Sequence, residues 1–275
     1  MSNVKIGLQL YSVRDKMEAD MEATLRAVKE IGYDYVEFAG FFGHSAEEIA
    51  GWLKKYGLEC PSVHQMPALY DEQGAAATEY MKTLGVTYST IPWYSKDHYV
   101  NDMEGTLAYF TKMGQFLADH GLKMLYHNHD FELATVDGEP ILDRIYRTVP
   151  AELLNPEFDT CWIKYAGYDP CDYLRRYAGR YKVVHLKDFT AKELGAGPVY
   201  ALIDKDGNEQ KTPSRDERAF YFRPVGSGMQ DIPAIIKAAI AGGAEYFIVE
   251  QDMCYEQDSL DAARESREYL RSIGY

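Results

Sequence analysis

At 275 residues the chain is long enough for one large domain and short for two, and its 46% apolar share can fill a sizeable core. Forty-three acidic residues against 29 basic ones give a net charge of -14, a field that repels a phosphate backbone and removes nucleic acid from the expected partners. With a mean hydropathy of -0.38 and no run near the roughly 18 uncharged apolar residues of a membrane helix, no membrane association is expected. The start MSNVKIGLQLYS has no long apolar leader and no small-residue cleavage site, which reads as a cytoplasmic protein. The four cysteines have no CxxC spacing and read as packed thiols rather than a zinc ribbon or disulfide framework. Tyrosine is abundant, 23 residues, and its apolar ring with a polar tip suits half-buried helix faces and the wall of a sugar pocket.

In chain order, short apolar or β-branched runs predict strands at 4–10, 35–38, 60–64, 88–92, 123–129, 155–159, 182–187 and 246–250. Helical stretches lie between and after them. Ser45 with Glu48 three residues on predicts a capping box, and Gly57 a left-handed stop. Gly32, Gly85, Gly121 and Gly242 mark similar ends shortly before the next strand. Eight such units in about 250 residues are the arithmetic of a (β/α)8 TIM barrel, an α/β fold in a single domain spanning 1–275. An open doubly wound sheet is the alternative, but Leu8-Gln-Leu-Tyr-Ser-Val-Arg14 follows the first strand where a dinucleotide fingerprint would stand. One connection breaks the rhythm: 190–224, after strand seven, is polar and long enough to be an insertion or lid, with Asp206-Gly207 as a hairpin turn within it.

Barrel chemistry sits at the C-terminal ends of the strands. The last four strands end in Tyr126-His127-Asn128-His129, Phe158-Asp159-Thr160, Val184-His185-Leu186-Lys187-Asp188 and Val249-Glu250-Gln251-Asp252. Alternation puts His127 with His129, His185 with Lys187, and Glu250 with Asp252 on common faces. If these faces line the mouth, His127, Asp159, His185 and Glu250 converge as two imidazoles and two carboxylates. That mixed set suits a divalent cation, manganese first, with cobalt, iron or zinc also accommodated. Each residue has a plainer reading: strand histidines often pack or hydrogen-bond, and strand-end aspartates cap turns. His44, His98 and His120 are left to such roles.

Several segments together resemble the xylose isomerase-like TIM barrel family, whose members are often labelled sugar phosphate isomerase/epimerase or AP endonuclease family 2. They are Gly7-Leu-Gln-Leu-Tyr-Ser-Val-Arg-Asp15, Gly32-Tyr-Asp-Tyr-Val-Glu37, His127-Asn-His129, Phe158-Asp159-Thr160, His185-Leu-Lys-Asp188 and Val225-Gly-Ser-Gly-Met-Gln-Asp231. The resemblance covers essentially the whole chain. It implies a divalent metal held from strands five to eight, commonly by Glu, Asp, His and Glu. Asp159, His185 and Glu250 match, and His127 stands where the first glutamate is expected. In the family's epimerases the first and last glutamates also form the acid/base pair, so His127 removes a carboxylate base from one face of the substrate.

The resulting expectation is a metal-dependent isomerase or epimerase that moves a proton next to the carbonyl of a keto sugar or related polyol. Glu250 is a base, His129 exchanges a proton on the other side, and Lys187 or Glu132 are fallbacks. The one-sided arrangement suits β-elimination too, so a lyase or dehydratase of an inosose or 3-keto sugar is the alternative. Glu37, His64 and Trp93, after strands two to four, are candidate substrate contacts, with Arg223 at the exit of the insertion. A non-catalytic sugar-binding subunit and a DNA-repair nuclease are the remaining rivals. The nuclease is disfavoured by the charge and by Trp162, where a metal histidine would be expected. The expected partner is a small sugar or cyclitol, and a homo-oligomer is compatible with all of this.

Overall fold

The computed structural model describes residues 4–195 and 219–275. Eight parallel strands close into one barrel: β1 (Lys5–Gln9), β2 (Tyr35–Phe38), β3 (Glu59–His64), β4 (Tyr88–Ile91), β5 (Lys123–His127), β6 (Leu154–Asp159), β7 (Val183–Leu186) and β8 (Tyr246–Val249). Each pairs with its neighbours in sequence, and β1 closes on β8 with Gly7 opposite Ile248. The (β/α)8 expectation is therefore met.

The helices form where apolar residues recur every three or four positions. In helix Met21–Ile31 the buried residues are Met21, Thr24, Leu25, Val28 and Ile31, and the Asp20 side chain caps Ala23 N. The predicted capping box is present at helix Ala46–Tyr56: Ser45 accepts from Glu48 N, Glu48 accepts from Ser45 N, and Gly57 ends the helix at φ 66°. The main core lies between this helical shell and the barrel wall, with Leu8, Val36, Phe38, Phe158 and Phe247 from the strands meeting Leu25, Ile49, Phe110 and Ile236 from the helices.

Tyrosine has a second use there. Tyr33, Tyr99, Tyr126, Tyr146, Tyr165, Tyr173 and Tyr181 are among the largest fully buried side chains. Tyr33 donates to Ala263 O at 2.8 Å, tying the approach to β2 to the last helix, and Tyr181 donates to Leu174 O at 3.0 Å. These rings fill the core and fasten one element to the next, rather than walling a pocket.

The insertion begins as a ribbon. Asp188–Thr190 pairs antiparallel with Tyr221–Arg223, and Phe189, Phe220 and Phe222 pack with Cys161, Trp162 and Tyr165 in a separate aromatic cluster. The hairpin expected at Asp206-Gly207 lies outside the described residues. An unforeseen two-residue ribbon, Thr135–Val136 with Glu139–Pro140, turns on Asp137-Gly138, both at positive φ. The four cysteines are free thiols, as expected. No helix of the described residues is long and apolar enough to cross a membrane.

Candidate metal and acid–base site at the barrel mouth

The inward face of the barrel changes character with height. Tyr88, Leu125, Val183 and Ile248 form an apolar plug, backed by Tyr246. Two positions further along their strands, Leu125 gives way to His127, Val183 to His185 and Ile248 to Glu250, because a period of two keeps these pairs on one face. Ser62, His64, Thr90, Glu157, Asp159 and Lys187 join them, all buried.

The deeper level is organised around two carboxylates. Glu37 Oε1 accepts from Gln9 Nε2 at 2.7 Å and pairs with His185 Nε2 at 2.8 Å and His64 Nε2 at 3.0 Å, while Ser62 donates its hydroxyl to the other oxygen. Glu157 Oε2 lies 2.8 Å from His64 Nε2 and 3.5 Å from His185 Nε2, and Thr90 donates to Oε1. Burial opposes ionisation of Glu37, but the charges of His64 and His185 hold it well below the usual carboxylate range. Burial and the Glu37 charge raise Glu157 to about 7. Burial works against a charged His64, yet Glu37 and Glu157 lift it to about 10.

The outer level faces the mouth. Lys187 Nζ lies 2.7 Å from Asp252 Oδ1, 3.0 Å from Glu250 Oε2 and 3.2 Å from Asp159 Oδ2. His185 Nδ1 meets Glu250 Oε2 at 2.9 Å, so one imidazole connects the two levels. His127 stands between them as well. Its Nδ1 is 3.6 Å from Glu157 Oε2, and its Nε2 is 3.6 Å from Asp159 Oδ2 and 3.9 Å from Glu250 Oε2. Burial, reinforced by the neighbouring imidazoles, pushes His127 well below the ordinary histidine value. Burial raises Asp159 to about 6 against the pull of Lys187, whereas Lys187 and His185 overcome burial and hold Glu250 low.

The four expected ligands do meet. His127, Asp159, His185 and Glu250 each offer a donor atom within 4.8 Å of the others. Their chemistry fits a divalent cation: two carboxylate oxygens and two imidazole nitrogens, fully enclosed. Asp159 Oδ1 caps Cys161 N at 2.8 Å, and Oδ2 keeps the Lys187 charge nearby but makes no aligned hydrogen bond. The set can therefore hold a metal ion. His64, His127, Glu157 and His185 form a second set of the same kind.

Not every expected residue lies where alternation put it. β5 ends at His127, so His129 belongs to the loop before the 3-10 turn Phe131–Leu133 rather than to the strand face. Its backbone N–H donates to Glu132 Oε2 at 2.8 Å, and its ring stacks 5.6 Å from that of Trp162. Burial and Lys187 push this imidazole down to about 3. Lys187 Nζ lies 5.0 Å from the same indole, so Trp162 is flanked by both. Glu37 and His64 end their strands as expected and are buried within the cluster, at 0% and 8% exposure. Trp93 is 39% exposed at the rim, and Arg223 lies in a groove with Pro224, Gln251 and Tyr255, 3.8 Å from Glu256. Neither joins the cluster of described residues.

Sequence reasoning passed over Glu157 and Trp162. Glu157 had a signal, two residues before Asp159 on the same strand face; Trp162 had only its place in the turn that Asp159 caps. The backbone of Gly226-Ser-Gly228 binds an anion, the chain's own Asp188. That carboxylate accepts from Phe189 N at 2.9 Å, Gly226 N and Gly228 N at 3.0 Å, and Gln230 N at 3.1 Å. The nest fixes the residue next to Lys187.

The sequence profile of the xylose isomerase-like TIM barrel family matches residues 25–273. An inosose dehydratase of Clostridium botulinum (strain Alaska E43 / Type E3) is 28% identical over 206 residues, which cover 73% of this chain and 62% of that protein. The chain thus spans less than two thirds of the length of that relative. Among solved structures, a sugar phosphate isomerase/epimerase from Parabacteroides distasonis ATCC 8503 superposes with a TM-score of 0.74 at 19% identity, covering 100% of this chain and 96% of the other. The IOLI protein, with a zinc atom, gives 0.71 at 16% identity and 98% coverage of both chains. The closed barrel and a profile match over nearly its whole length agree: the chain belongs to the xylose isomerase-like TIM barrel family.

Proposed function

We propose that this protein is a divalent-metal-dependent enzyme that removes a proton next to the carbonyl of a polyhydroxy ketone, a keto sugar or cyclitol, and that the reaction ends in loss of water. The observation that carries the reading is an unequal acid–base pair beside the four-donor set. His129, a neutral imidazole, and Lys187, an ammonium, flank one indole. His127, Asp159, His185 and Glu250 would hold the ion, with manganese the first expectation and cobalt, iron or zinc the others; the zinc of the IOLI protein supports a metal of this class. When bound, such an ion polarises a carbonyl as a Lewis acid.

His129 is uncharged across the neutral range and takes the proton α to the carbonyl. The electron pair left behind expels the β-hydroxyl, which leaves as water with a proton from Lys187. Asp252 and Asp159 hold the ammonium in place for that transfer. The dehydratase name of the curated relative supports this outcome. Isomerisation or epimerisation, the first expectation from sequence, is the second reading. It is favoured by Glu250, which stays ionised and can return a proton to carbon, and by the name of the Parabacteroides neighbour.

The test is a panel of ketohexoses, inososes and 3-keto glycosides incubated with manganese-loaded protein in D2O, scoring dehydrated and isomerised products. Dehydrated product that falls more than about 100-fold in His129→Gln, with metal content retained, is the expected result. Solvent deuterium in an epimer without any dehydrated product would install the second reading. Turnover unaffected by both His129→Gln and Asp159→Asn would remove the site from the chemistry.

A further inference from the structure

Once Lys187 is paired with Asp252, its shortest contact at 2.7 Å, four further buried carboxylates lie against the imidazole cluster: Glu37, Glu157, Asp159 and Glu250. Only three imidazoles face them, those of His64, His127 and His185. Buried carboxylates at this depth need compensating positive charge, which protonated imidazoles or bound cations can supply. One divalent ion at the outer set answers half of that charge. The other half sits a level lower, around Glu37 and Glu157.

The lower level has the shape of a ligand set. In a tetrahedral site with bonds of about 2.1 Å, donor atoms lie about 3.4 Å apart. Around Glu157 Oε2 the structure places His64 Nε2 at 2.8 Å and His127 Nδ1 at 3.6 Å, and Glu37 Oε1 is 3.0 Å from His64 Nε2. His127 is 2% exposed, and its Nδ1, aimed at this group, has no hydrogen-bond partner. A buried ring nitrogen is seldom left in that state.

A neutral imidazole has one lone pair and one N–H, so it can ligate only one ion. We propose that the barrel holds a second divalent cation beside the first, bound by His64 Nε2, His127 Nδ1 and Glu157, with the Glu37 carboxylate against His64. The proposal rests on the metal reading above and refines it by moving His127 inward. The outer ion keeps Asp159, His185 Nδ1 and Glu250, three protein ligands with positions open to substrate. His185 then donates its Nε2–H to Glu37, 2.8 Å away, an outer-shell bond that fixes its tautomer. Each shared ring serves one ion. Two divalent ions match the four carboxylates in charge.

The probe is Zn2+ alone, counted by mass spectrometry on the full chain after removal of loosely held metal with a weak chelator. About two ions per chain in the unaltered protein, and about one in each of Glu157→Gln and Asp159→Asn, are expected. Circular dichroism confirms that each variant is folded, and His64→Asn replaces Glu157→Gln if that variant is not. One ion kept in Glu157→Gln but lost in Asp159→Asn overturns the second site and leaves the proposed outer centre standing. One ion with the opposite pattern overturns the outer centre and the pair. Two ions that survive Glu157→Gln overturn the lower site, and no ion at all overturns both.

Discussion

Glu132 offers a measurement that needs neither substrate nor metal. It is fully buried in the turn after β5, accepts from Tyr126 OH at 2.7 Å and from His129 N at 2.8 Å, and Tyr126 in turn accepts from Tyr99 OH at 2.6 Å. Burial, only partly opposed by these bonds, raises its carboxyl from 4.5 to about 8. Between those values the native state holds a proton that the unfolded chain has released. The neutral carboxyl's contribution is therefore complete below about 4.5 and is lost as pH rises toward 8, at about 1.4 kcal/mol per pH unit and about 5 kcal/mol in all. Glu132→Gln keeps an oxygen to accept from His129 N and removes the titration, at the loss of the oxygen that accepts from Tyr126 OH, a loss that is the same at every pH. In urea unfolding at pH 5, 6.5 and 8, the stability of the variant relative to the unaltered protein should rise steadily with pH. A difference that stays flat across that range would mean the carboxyl is ionised in the native state, and would refute the reasoning.

Three further outcomes follow from single contacts. In Gly228→Ala the added Cβ would stand 2.1 Å from Asp188 Oδ1 and 2.5 Å from Phe189 O, so the nest must open; urea unfolding should show a loss of about 2 kcal/mol. Tyr33→Phe removes the bond to Ala263 O and leaves that carbonyl buried, for a loss of about 1 kcal/mol in the same assay. Trp162→Leu removes the surface that His129 and Lys187 share, and should lower turnover by roughly ten-fold or more with the zinc count unchanged.

The barrel was legible because its signals are local. Alternation, the Ser45–Glu48 box and the glycine stops each act within a few residues and appear in the structure near their expected places, although at Gly242 the left-handed residue is the next one, Gly243. Where a local signal had a rival, it misled. His129 continues the alternation of β5 on paper, but its backbone N–H bonds to Glu132 and the chain leaves the sheet at His127. Asp137-Gly138, the same dipeptide that marks the expected turn at Asp206-Gly207 outside the described residues, makes a hairpin that went unread.

The site was legible only in its outer level, for a physical reason. Residues at strand ends announce themselves as the last inward positions before a loop, which is how Asp159, His185 and Glu250 were found. Glu157 lies inside its strand, where a carboxylate argues against burial unless partners wait for it. Those partners are His64, from a strand ending 93 residues earlier, and His127. The same closure brings Glu37 and His64, expected as substrate contacts, into this cluster, joined by His185 from 148 residues away. No periodicity encodes contacts of that separation; only the closing of the barrel does. Glu37, His64, His127, Glu157 and His185 are each compatible with ordinary packing alone. Together they bring two carboxylates and three imidazoles into one buried layer, where each group's charge is set by the others and by nothing its own neighbours in sequence reveal.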